Sequence, residues 1–143
     1  MVELVIGPKG SGKTKYMTEA ICAAAQKSAG NVVYITKGLE SGWDIPHDVR
    51  VIDLAEFPQI DTYGELYAFV CGLLSGNYDI TNVFIDGLYA LCGKQEEELS
   101  IFLALISELS DAHHAAFTAA LSAKKDEVPE AIYQMVSDVH VCE

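Results

Sequence analysis

The run Gly7-Pro8-Lys9-Gly10-Ser11-Gly12-Lys13-Thr14 places residue types at the spacing that holds a polyphosphate. Glycines at 7, 10 and 12 let the backbone turn tightly and bring its N–H groups close to an anion. The apolar run Leu4-Val5-Ile6 leads into the loop and a segment of helical periodicity leaves it, so a helix aims its positive end at the same point. Lys13 can reach β- and γ-phosphates, and the Thr14 hydroxyl can ligate Mg²⁺. Gly7 through Thr14, with Lys15 beside them, are the nucleotide-binding candidates, and Lys13 is also a catalytic candidate. Such a loop needs a carboxylate to hold Mg²⁺ through its water shell. Two apolar runs end in one: Val51-Ile52-Asp53 and Val83-Phe84-Ile85-Asp86. Asp86 follows the stronger run and precedes Gly87, which leaves space for a nucleotide. It is the favoured metal carboxylate, paired with Thr14, and the second catalytic candidate. Asp53 is the alternative, better read as a polar strand end.

The elements that must carry these residues follow from periodicity. A strand over 2–6 feeds the loop, and the next helix sets Met17, Ala20, Ile21, Ala24 and Ala25 on one face before ending near Gly30-Asn31. Residues 31–36 and 49–54 read as strands, joined by a loop over 37–48 of the length that is often functional. Thr62 with Glu65 forms a capping-box pattern opening a helix that ends at Gly76-Asn77. Residues 82–86 form a buried strand, and 93–98 lead into a helix with Leu99, Phe102, Leu103, Ile106 and Leu109 inward. Glu96, Glu97 and Glu98 suit its positive start. A strand over 115–121, a short helix from Pro129 through Met135 and a final edge strand over 139–141 complete the series. Apolar strands alternating with amphipathic helices predict one domain over 1–143, a three-layer α/β/α sandwich with a mostly parallel central sheet. Ligands of such sheets lie beyond the carboxyl ends of the strands.

A net charge of −12 argues against a nucleic-acid partner, because phosphate backbones need a basic face. No apolar stretch is long enough to span a bilayer, and the first residues already enter a strand, leaving no signal peptide. The four cysteines are scattered without a C-x-x-C pair, as expected of reduced thiols in a cytoplasmic protein.

The loop, the Val83–Asp86 strand and the polar positions Thr118 and Ser122 of the following strand resemble the RecA-like branch of P-loop NTPases. The layout is also similar to type II thymidine kinases, with the 115–121 strand standing where that family has its next core strand. The resemblance implies ATP and Mg²⁺ as ligands. The departures concern turnover: Gly87 stands where a general-base glutamate is expected near the metal aspartate, the thymidine-kinase zinc cysteines are absent, and Arg50 is the only arginine. Phosphoryl transfer needs positive charge around the γ-phosphate and a positioned base. The leading expectation is therefore an ATP-binding protein whose Mg-ATP hydrolysis is slow or depends on a protein partner or a second copy. A non-catalytic nucleotide-binding module and a small-molecule, nucleoside-type kinase are the alternatives.

Glu40, Asp44 and Glu56 are further carboxylates that loops could bring in. Ala123-Lys124-Lys125-Asp126 resembles the guanine-reading N/T-K-x-D with Ala at its first position, so Lys124-Lys125 reads as a solvated loop or a base-side lid. His113-His114 reads as a polar helix end, His47 as loop decoration and Trp43 as a packing anchor or partner contact.

Overall fold

Successive residues of each central strand enter different cores, which is why these strands read as continuous apolar runs. In the computed structural model, which describes residues 1–38 and 45–143, Leu4 and Ile6 of β1 (Val2–Gly7) join one cluster while Val5 joins the other. Val33 and Ile35 of β2 (Asn31–Thr36) likewise oppose Val32 and Tyr34. Val83 and Ile85 of β4 (Ile80–Ile85) oppose Phe84, and Phe117, Ala119 and Leu121 of β5 (Ala116–Ser122) oppose Ala120. Helix α1 (Lys13–Lys27) covers the second face through Met17 and Ile21. Helices α2 (Tyr63–Gly76), α3 (Leu88–Cys92), α4 (Glu96–His113) and α5 (Glu130–Tyr133) supply the larger cluster on the first. The result is the expected three-layer α/β/α sandwich.

With β3 (Val49–Asp53) and β6 (Asp138–Val141) at the edges, the sheet runs β3-β2-β4-β5-β1-β6. Every strand pairing is parallel, beyond the mostly parallel sheet expected. The antiparallel contact among the described residues is an isolated bridge between Gly7 and Ala123. Strand β5 lies between β1 and β4, so the two loops of interest are one strand apart rather than adjacent. This layout is compatible with a P-loop-like fold.

Local signals explain most boundaries. The Thr62 hydroxyl accepts from the Glu65 N–H at 3.1 Å while the Glu65 carboxylate accepts from the Thr62 N–H at 3.2 Å, completing the capping box. His114 closes α4 in the left-handed region (φ 55°), with its N–H donating to the Ser110 carbonyl, so the histidine pair is a helix terminus. Several boundaries differ by one or two residues; β4, for example, spans Ile80–Ile85 rather than 82–86. Pro129 caps α5 rather than opening it, and the helix ends at Tyr133. Helix α3 had no sequence signal, since five residues cannot display a 3.6-residue period. No helix among the described residues is long and apolar enough to cross a membrane.

Helix α4 separates core from surface sharply. Leu103 is fully buried, whereas Ile101 is 54 % exposed. Leu103→Ala should cost about 2–5 kcal/mol in urea denaturation and Ile101→Ala less than about 0.5 kcal/mol. Equal losses would contradict the assigned face of α4.

Candidate functional site

Because all six strands run the same way, their carboxyl ends share one rim, and that rim collects the candidates. A cleft of about 510 Å³ is walled by Lys9, Gly10, Gly12, Lys13 and Thr14 from the glycine-rich loop and the start of α1. Thr36, Lys37 and Gly38 close it from β2, Asp86, Gly87 and Ala90 from β4 and α3, and Ser122 from the end of β5. The Gly7 end of β1 pairs with Ser122, and Lys15 lies in the first turn of α1 outside the cleft lining.

The start of α1 is distinctive among the longer helices. Its N-cap, Gly12, has φ 93° and contributes no side-chain hydrogen bond, and its first turn contains no acid. Helices α2 and α4 carry Glu65 and Glu96–Glu98 at the same place. The first N–H groups of a helix have no intrahelical partner and sit at the positive end of its dipole. With Lys13 and Lys15 added, this is a helix start matched to an anion rather than to its own side chains. Lys13, though buried, donates from Nζ to the Pro8 carbonyl at 3.3 Å, and the Ser11 N–H donates to the same oxygen at 3.1 Å. The buried Ser11 hydroxyl has no hydrogen-bond partner among the described residues, an orphan of the kind that a ligand or water resolves.

Asp86 faces this loop from across β5. Its N–H still extends the ladder to the Ile35 carbonyl at 2.9 Å, which fixes the side chain at the rim. Burial pushes its carboxyl above the usual carboxylate range, against the opposing pull of the Tyr34 hydroxyl, the Lys13 charge and the Gly87 N–H. The Tyr34 hydroxyl donates to Oδ2 at 3.2 Å, and burial with the neighbouring Asp86 pushes that phenol well up, so it stays a donor. Gly87 has φ 71° and opens α3. Any L-residue there would be strained, which explains in backbone terms why no glutamate follows Asp86.

The other carboxylates separate clearly. Asp53 Oδ1 accepts from the Gly38 and Ala55 N–H groups, each at 2.9 Å, and does not line the cleft. It caps a 3-10 turn over Leu54–Glu56, whose Glu56 is exposed. Glu40, Asp44 and Trp43 lie outside the described residues, as does half of the 37–48 loop, although Lys37 and Gly38 reach the cleft. Among the described residues no group of three or more His, Cys, Asp or Glu side chains could hold a metal by itself. A Mg²⁺ ion carried in with phosphate oxygens needs only the Thr14 hydroxyl and Asp86 from the protein, and that donor set is present. A second cavity of about 680 Å³ flanks Pro8 on the β6 side, bounded by Lys124, Lys125, Asp126, Tyr133 and Cys142. The 124–126 segment therefore stands beside the loop rather than over the carboxyl-end cleft.

No protein-family model matches the chain, and no curated protein matches it.

A carboxyl held above its unfolded value favours the protonated state in the fold. Its contribution to stability is complete below the unfolded pKa of about 4 and is lost as pH rises through the folded value. Asp86→Asn should raise the melting temperature at pH 7, and the gain should shrink as pH falls through the raised folded value and vanish below about pH 4. A loss of stability at pH 7 would show that the ionised carboxylate is not a net cost.

Proposed function

We propose that the protein binds Mg-ATP in the carboxyl-end cleft as a P-loop nucleotide-binding protein of RecA-like type, and that its hydrolysis of ATP is intrinsically slow. The observation that carries this reading is the uncapped, acid-free start of α1 facing Asp86 across the cleft. Lys13 would exchange its contact with the Pro8 carbonyl for the β- and γ-phosphates, while backbone N–H groups of the loop surround the β-phosphate. Thr14 and Asp86 would hold Mg²⁺, and Tyr34 would keep Asp86 oriented by its hydroxyl. The ion, when bound, neutralises charge on the β- and γ-oxygens. The cavity beside Pro8 gives the base and sugar a place next to the loop, with Lys124-Lys125 on its border.

Slow turnover follows from what surrounds the cleft. Position 87 offers hydrogen in place of a carboxylate, and the backbone there disfavours a replacement. Arg50, the chain's only arginine, is exposed near the amino end of edge strand β3, away from the carboxyl-end rim. A charge for the transition state would have to come from a partner.

Mg-ATP at 100 times its Kd should stabilise the fold by about 2.7 kcal/mol, read as a rise in melting temperature. Lys13→Ala should abolish most of that rise, and EDTA should diminish it. An unchanged melting temperature for the wild type, or an undiminished rise in Lys13→Ala, would contradict nucleotide binding at this loop. Binding without phosphate release over hours would reduce the protein to a nucleotide-dependent module.

A further inference from the structure

Next to the phosphate cleft lies a cavity of about 190 Å³ that the Mg-ATP reading does not use. The two share Ser122, the last residue of β5, which lines both. Their charges are opposite in kind. Among the described residues, Lys9, Lys13 and Lys37 line the cleft against one carboxylate, whereas Glu96 and Glu127 line the neighbour against one ammonium, Lys94. A chamber with that balance repels phosphate and suits a neutral or cationic guest.

Its groups are also held in place. The Glu127 Oε1 accepts from the Lys124 N–H at 2.8 Å, which leaves the other carboxylate oxygen for a second partner. Lys94 Nζ stands 5.8 Å from the centroid of the Tyr89 ring. Burial, followed by the charges of Glu127, Tyr133 and Glu96, pushes the Tyr89 phenol up, so it remains a donor in the chamber lining. Glu96 opens α4, and Leu99 and Ile132 give the chamber an apolar floor.

We propose that this chamber is an acceptor site for a small hydroxylated amine, which receives the γ-phosphoryl group across Ser122 with Glu127 as general base. In that step the acceptor oxygen forms a bond to the γ-phosphorus as the bond from phosphorus to the β,γ-bridging oxygen breaks. ADP leaves with that electron pair, and the hydroxyl proton passes to the Glu127 carboxylate. Glu96 pairs with the ammonium of the acceptor. The carboxylate missing after Asp86 is thus supplied from the turn that follows β5, and it faces the acceptor chamber rather than the phosphate cleft.

This inference rests on Mg-ATP binding, and the test separates the two. The protein is given Mg-ATP with ethanolamine, serinol or choline, and with glycerol as a neutral control, and products are followed by ³¹P NMR. A phosphate monoester is expected from an amine and not from glycerol. Glu127→Gln preserves an acceptor for the Lys124 N–H. It should lower kcat by about 10²- to 10⁴-fold while leaving the Mg-ATP melting shift intact. Glu96→Gln should instead raise KM for the amine. With the non-hydrolysable analogue Mg-AMPPNP bound, ethanolamine should shift the amide resonances of Tyr89, Lys94 and Ser122. A normal Mg-ATP shift with no monoester, transfer to glycerol alone, or full transfer by Glu127→Gln would each overturn the acceptor site and leave nucleotide binding standing. Absence of the Mg-ATP shift would overturn both.

Discussion

The first turn of α1 presents backbone donors that its own sequence does not satisfy, and much of the site is arranged around them. Met17 and Ile21 bury the helix against the sheet, so its start cannot swing away to find other acceptors. Parallel strands then fix what else can face that point, because every strand delivers its carboxyl end to the same rim. Lys13 donates to the Pro8 carbonyl of the loop, and Asp86 sits across β5 from it. An anion with its metal would complete several of these interactions together.

The arrangement at the rim carries a corresponding cost. A half-buried aspartate is kept beside a lysine and a phenol where burial works against its charge. The Ser11 hydroxyl is enclosed without a hydrogen-bond partner among the described residues, and two glycines hold left-handed turns at the entrances to α1 and α3. Such local concessions persist because the core on either side is apolar and closely packed, with Leu4, Ile6, Leu66, Leu88 and Leu103 fully buried.

Much of the fold was legible because its signals are local. The strand runs around β1, β2, β4 and β5 are apolar on both faces, and Thr62 with Glu65 announced α2. Strand order was not legible, since nothing in the residues 115–121 says that they separate β1 from β4. At the site, the loop and Asp86 could be read from types and spacing. Tyr34 could not: it sits within an apolar run, and its role depends on the parallel register that places it opposite Phe84, two residues before Asp86. Ala90 was hidden for the same reason, being brought to the cleft by topology alone, whereas Lys37 follows a strand end, where ligands of such sheets lie. The sequence also showed a glycine after Asp86 without the cause, which is a backbone turn that glycine alone makes easily.

The central claim is that the uncapped start of α1 and Asp86 together form the seat of Mg-bound triphosphate. The most direct measurement is a ¹⁵N–¹H NMR titration of the wild-type protein with Mg-ATP. The account predicts saturable shifts concentrated in the amides of Gly10–Lys15, with Asp86, Gly87 and Ser122 following, while the far ends of the strands stay still. Shifts centred elsewhere, or none at millimolar Mg-ATP, would contradict it.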